Sequence, residues 1–120
     1  MTGEGPITAA RPFHWQAICA RDDLVPGAGV CALVGAEQVA LFYLPGEERQ
    51  VYAVSNRDPI GAANVLSRGV VGDIGGRLVV ASPLYKQHFD LVTGECLEAD
   101  DVRIPVFSAR LEGDTVLVAI

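Results

Sequence analysis

The sequence is short of several things, and each shortage removes a class of function. It has three cysteines, Cys19, Cys31 and Cys96, and no CxxC pair, so it carries neither a disulfide framework nor a thiolate zinc motif. An odd count without an export signal suits a reducing compartment and thiols that lie buried as small hydrophobes. Nine residues are Lys or Arg against fifteen Asp or Glu, a formal net charge of −6. An acidic chain with scattered cations is a poor match for nucleic acid or an anionic membrane. No apolar run approaches the ~20 residues of a membrane helix. The opening stretch, MTGEGPITAARPFHW, lacks the basic and apolar regions of a secretory signal, and residues 1–14 read as a flexible leader. Helical periodicity is also missing: residues 62–67 (AANVLS) allow one turn and residues 23–25 a turn of 3₁₀ helix, but no window supports a packed helix.

Punctuation, by contrast, is plentiful. Thirteen glycines and seven prolines are spread over 120 residues, half of them hydrophobic. Between them lie short β-rich runs: 15–20 (WQAICA), 30–34 (VCALV), 38–44 (QVALFYL), 51–54 (VYAV), 78–81, 89–92, 103–111 and 115–120. Gly35-Ala36-Glu37 and Glu112-Gly113-Asp114 are hairpin signals. Strands at this spacing predict one all-β domain over 15–120, a small barrel or sandwich of short antiparallel strands. The glycine run 69–76 has no GK[ST] and opens no helix, so it reads as turn geometry rather than a phosphate loop.

Two proline-containing loops follow apolar strands. The first is Ser55-Asn56-Arg57-Asp58-Pro59-Ile60-Gly61, and the second opens Ser82-Pro83-Leu84-Tyr85-Lys86. Their placement, with Phe89-Asp90-Leu91 and Thr93-Gly94 downstream, resembles a Rieske domain, whose two loops clamp a [2Fe–2S] cluster with Cys-x-His and Cys-x-x-His. The resemblance spans about 15–120 and implies the Rieske-like fold, with these as the former cluster-binding loops. The ligand positions would be Asp58 and Ile60 in the first loop, Ser82 and Tyr85 in the second. All four have changed. Hard oxygens stand for the thiolates, and Ile60 cannot donate at all.

Four segments narrow the resemblance: Pro26–Leu33 (PGAGVCAL), Ser55–Pro59 (SNRDP), Val65–Asp73 (VLSRGVVGD) and Ala81–Cys96. They are similar to the small subunits of assimilatory NAD(P)H-dependent nitrite reductases. That family implies a cytoplasmic, non-redox subunit without catalytic, metal or cofactor residues of its own. FAD, a [4Fe–4S] cluster and siroheme sit on a large catalytic subunit, which is the partner and reduces nitrite to ammonium in nitrate assimilation.

The individual residues also have plainer readings. Asp58 fits an Asx turn before Pro59 better than a metal ligand or general acid. Ile60 and Tyr85 are expected to fill the space a cluster would occupy, because an empty cavity is costly. His88, with no second imidazole or thiolate beside it, reads as a hydrogen-bonded surface group. Arg57, Lys86 and His88 are candidate partner contacts, and solvated charges are the competing reading for the two cations. Two other functions are compatible with the scaffold. One is a free-standing binding module or ferredoxin-like component unrelated to nitrite. The other is an electron carrier with a mononuclear metal at Asp58, Tyr85 and His88.

Overall fold

Residues 38–44 hold five consecutive apolar side chains after Val39, with no polar alternation. A strand of that kind must be buried on both faces. In the computed structural model, which describes residues 14–120, it is. Strand Glu37–Tyr43 sends Val39, Leu41 and Tyr43 into one core, with Leu24, Val34, Val51, Ala53, Val116 and Val118. It sends Ala40 and Phe42 into a second core, which Leu44 joins with Tyr52, Val54, Leu66, Val80, Phe89, Leu91, Cys96 and Ile104. Its neighbour Val51–Ser55 divides its side chains the same way, as the two-residue period of a strand requires.

The first core is enclosed by a six-stranded antiparallel sheet in the order Trp15–Ala20, Thr115–Ala119, Val106–Glu112, Val51–Ser55, Glu37–Tyr43, Gly29–Val34. The second core is closed by a three-stranded sheet, His88–Asp90, Arg77–Ala81 and Val70–Ile74. A two-stranded ladder, Arg57–Asp58 with Ala63–Asn64, stiffens the first loop. The described residues thus form an all-β architecture of short antiparallel strands.

The hairpins form where glycine permits. Gly35 and Gly113 take φ of +62° and +60° at the first position of two-residue turns, the place a type II′ turn reserves for glycine. Three local expectations are corrected. The glycine run 69–76 is not merely a connector: Val70–Ile74 is an edge strand, and only Gly75-Gly76 turn, at φ +58° and +85°. The 3₁₀ turn near residue 23 spans Arg21–Asp23, because Asp23 Oδ2 captures the Ala20 amide at 2.9 Å and starts the turn earlier. The turn expected over 62–67 is a 3₁₀ turn at Leu66–Arg68, placed by Asn56, which receives the amides of Leu66 and Ser67. The cysteines are not uniformly interior either. Cys96 is buried and Cys19 half-buried, but Cys31 is exposed on the outermost strand of the large sheet. The leader expected over 1–14 falls, but for His14, outside the described residues.

Asp90 ties the second sheet to the segment that follows it. One carboxylate oxygen accepts the amides of Val92 (2.7 Å) and Thr93 (2.9 Å), and the other accepts Arg77 Nε (2.7 Å). Arg77 also reaches Glu95 (2.8 Å), which holds Arg103 in turn (3.0 Å). Burial pushes the Asp90 carboxyl up, but the Thr93 amide, Arg77 and the Val92 amide outweigh it and hold Asp90 below the usual carboxylate range. A depressed carboxyl stabilises the fold above its unfolded value of about 3.9, and the contribution fades as pH falls through the folded value. Asp90→Asn is therefore expected to lower unfolding free energy at pH 7 by on the order of 2 kcal/mol. Its deficit should shrink below about pH 4. Urea titrations at pH 7 and pH 3 check both points, and an equal deficit at the two pH values would contradict the ionised role.

Candidate functional site

The first loop is anchored by Asn56, immediately after strand Val51–Ser55. Asn56 is buried, and its backbone amide and its Nδ2 both donate to Gln38, at the carbonyl (3.0 Å) and at Oε1 (3.1 Å). Nδ2 also approaches the Cys31 thiol at 3.5 Å, and Oδ1 accepts the Ser67 amide at 2.7 Å. Every polar atom of this amide thus has a partner, as a buried polar group requires. The loop leaves that anchor in one direction only.

Asp58 follows and is wholly buried. Its Oδ1 accepts the amides of Ile60 (2.8 Å) and Gly61 (3.0 Å), an Asx turn ahead of the loop's tip. Its Oδ2 accepts the hydroxyl of Ser82, the equivalent position in the second loop, which is also buried. Ser82 organises its own loop as well. Its amide donates to the Gln87 carbonyl (2.9 Å), its carbonyl accepts the Lys86 amide (3.1 Å), and its oxygen receives the Leu84 amide (3.3 Å). Closing this turn holds Lys86 at φ +64°, a left-handed conformation disfavoured for a residue with a Cβ.

The two thiolate positions of the Rieske pattern are therefore joined directly by a hydrogen bond across the loops. The two imidazole positions behave differently from expectation. Tyr85 is 64% exposed, so its ring does not fill a space between the loops, and Ile60 is only partly covered, at 37% exposed. The Asp58–Ser82 bond joins the loops directly, and Tyr85 stands outside it. The apolar contact between the loops comes instead from Leu84, which lies so close over Gly61 that a Cβ there would clash with its Cδ1.

His88 stands apart from this arrangement. Its Nδ1 lies 2.6 Å from Glu98 Oε2, and its backbone amide donates to Oε1 at 2.7 Å. Burial acts to raise the Glu98 carboxyl, but the amide and ring of His88 outweigh it and hold it low. Asp58 is committed to two backbone amides and to Ser82, and His88 Nδ1 to Glu98; no group of three or more His, Cys, Asp or Glu suited to a metal occurs among the described residues. A [2Fe–2S] cluster does not fit these side chains either. The two oxygens replacing thiolates are committed to each other and to backbone amides, and Ile60 offers no donor.

Arg57 and Lys86, both exposed, flank the paired loops, and neither has a carboxylate partner among the described residues. The sequence reading missed Asn56, Leu84 and Glu98. Only Asn56 carried a signal, as the polar residue fixed between a buried strand and Asp58.

Comparison with known proteins accords with this geometry. Residues 14–119 match the model of the Rieske-like [2Fe-2S] domain family. The nitrite reductase (NADH) small subunit of Salmonella typhimurium is 49% identical over 103 residues, covering 86% of this chain and 94% of that one. A solved structure of a putative NADH-dependent nitrite reductase small subunit from Mycobacterium tuberculosis is 45% identical, with a TM-score of 0.84 over 92% of this chain and 97% of that one. The nitrite reductase [NAD(P)H] large subunit of Klebsiella oxytoca is 42% identical over 113 residues, 94% of this chain but 11% of that longer one. On sequence, fold and domain coverage together, the chain belongs to the family of nitrite reductase small subunits built on a Rieske-like domain.

Proposed function

We propose that this domain serves a cytoplasmic NAD(P)H nitrite reductase as a subunit that carries no electrons itself. Nitrite reduction to ammonium, in nitrate assimilation, then takes place on the large subunit, with its FAD, [4Fe–4S] cluster and siroheme. The small subunit binds that partner and supports its working shape. The observation that carries the reading is the buried Asp58–Ser82 hydrogen bond at the two thiolate positions. It closes the loops with groups the chain itself supplies, and it consumes the atoms a metal would need. The Klebsiella oxytoca relative supports the partnership, because there a stretch similar to this domain forms part of the large-subunit chain. No helix among the described residues is long and apolar enough to cross a membrane.

Asp58 has a mechanical role in this reading. Four groups depend on it: the Ile60 and Gly61 amides, the Ser82 hydroxyl and, through Ser82, the second loop. Truncating it orphans buried donors, which is costlier than losing the bonds alone. Asp58→Ala should therefore lower stability by on the order of 3 kcal/mol. Asp58→Asn, which keeps an oxygen for the two amides and reverses the other bond, its NH₂ donating to the Ser82 oxygen, should lose less than the Ala variant. Thermal melts of the two variants, with amide exchange of residues 60, 61 and 84, separate a clamp from a bystander. Equal melts for the Ala variant and the parent would remove the clamp.

The purified chain is expected to show neither the visible bands of an iron–sulfur centre nor stoichiometric iron and sulfide. Deleting it should impair nitrite-dependent NAD(P)H oxidation in extracts while the large subunit keeps its flavin and siroheme. A Rieske-type spectrum from the purified chain, or unchanged nitrite reduction after deletion, would overturn the reading.

A further inference from the structure

The paired loops end in a surface whose composition differs from that of the rest of the domain. Ile60, Leu84 and Tyr85 are all exposed there, brought together by the Asp58–Ser82 bond and by the seat of Leu84 over Gly61. The chain has a net charge of −6, yet loops 55–61 and 82–87 contain a single carboxylate, Asp58, and it is turned inward. What they expose in the way of charge is Arg57 and Lys86, and Lys86 is the only lysine of the chain. His88 does not join them, being held by Glu98. Lys86 is also kept at φ +64° by the turn that Ser82 closes, so its place at the tip is set by the backbone rather than left to a flexible loop.

We propose that this tip is the surface through which the domain docks on the large subunit, against a patch that is apolar at its centre and acidic at its rim. The inference rests on the reading of the chain as the reductase's partner subunit, and adds the face and its chemistry. Tyr85 on a rigid base is the type of anchor that dominates interface hot spots, with Ile60 and Leu84 beside it as apolar surface that gains from being covered. The two unpaired cations suit the rim, where charge sets the rate and register of encounter. Such a tip is smaller than the ~800 Å² that each partner contributes to a standard interface. It is therefore the anchored centre of a wider contact. In the Klebsiella oxytoca relative a stretch similar to this domain lies in the same chain as the rest of that large subunit, which ties the two together. Val25 and Ile74 are exposed to a similar degree but lie away from the loops and provide controls: Ile74 pairs with Arg77 at the far end of its hairpin from Ala81, and Val25 precedes Pro26, which bridges Tyr43 at the end of the strand pair opposite Ser55.

The test uses the full chain and the large subunit isolated with its cofactors. Binding is measured by surface plasmon resonance for the parent and for Leu84→Asp, Tyr85→Ala, Lys86→Glu, Val25→Asp and Ile74→Asp, each first shown to be folded by its melt. Leu84→Asp should weaken binding about 100-fold and Tyr85→Ala about 10-fold, mainly through faster dissociation. Lys86→Glu should slow association and flatten its dependence on salt. The controls should bind like the parent. A carbodiimide should join Lys86 to a carboxylate of the large subunit, in a cross-link identified by mass spectrometry. If the parent binds and the folded tip variants bind equally well, or only a control variant is impaired, the tip is not the docking surface. If the parent itself does not bind the large subunit, the partner reading fails and the docking inference falls with it.

Discussion

Two adjacent strands, Glu37–Tyr43 and Val51–Ser55, serve two cores at once, and the rest of the molecule is arranged around that constraint. Val39, Leu41, Val51 and Ala53 are buried on one side, while Ala40, Phe42, Tyr52 and Val54 are buried on the other. In a strand with one wet face, a slip of one residue exchanges core for solvent. Here a slip would exchange one packed core for another of different shape, placing Phe42 where Leu41 belongs. Close packing forbids that exchange as firmly as solvent would. The register is fixed from both sides, and Ser55 and Asn56 emerge from the pair at a defined point. A loop that begins from so rigid a base can hold geometry that its own few residues could not.

From that base, polar groups rather than apolar ones determine the loops. Asn56 fastens the first loop to Gln38 and to the turn at Leu66–Arg68, and Asp58 fastens it to itself and to Ser82. Such bonds are modest when exposed to water and expensive to break when buried. Asp58 and Ser82 lie wholly within the domain, with a partner for each carboxylate oxygen. The arrangement also explains why the tip is apolar. With the polar atoms of the loops spent on one another, little but Ile60, Leu84 and Tyr85 remains to face outward.

Much of this was legible in the residues. The double-faced burial follows from the unbroken apolar run at 40–44, the hairpins from Gly35 and Gly113, and the Asx turn from Asp58 before Pro59. The family followed from the motifs around the two loops. What could not be read lies where distant segments meet. Ile60 and Tyr85 occupy ligand positions in the pattern, so an inward orientation was expected. Their orientation was decided by a contact between residues 58 and 82, which no local pattern reports. Strand Val70–Ile74 escaped for a different reason. Its residues are mostly exposed, and Gly72-Asp73 interrupt Val70, Val71 and Ile74, so no alternation marks it, and it exists because Arg77–Ala81 offers a ladder to pair with. Cys31 shows the same limit, since lying in an apolar run did not keep it from the outer strand of a sheet.

The substitutions at the ligand positions form two separate pairs with separate consequences. Replacing two thiolates by Asp58 and Ser82 changes what holds the loops together, from a metal centre to a hydrogen bond. That change alone would preserve the scaffold without giving it a surface. Replacing two imidazoles by Ile60 and Tyr85 changes what the loops present, because side chains no longer needed inside are free to face a partner. An imidazole would be costly to leave unpaired in an apolar contact, whereas isoleucine and a tyrosine ring gain from being covered. On the function and docking face proposed above, the same loops keep a working face without cofactor chemistry, because the inner pair maintains their shape and the outer pair supplies the contact.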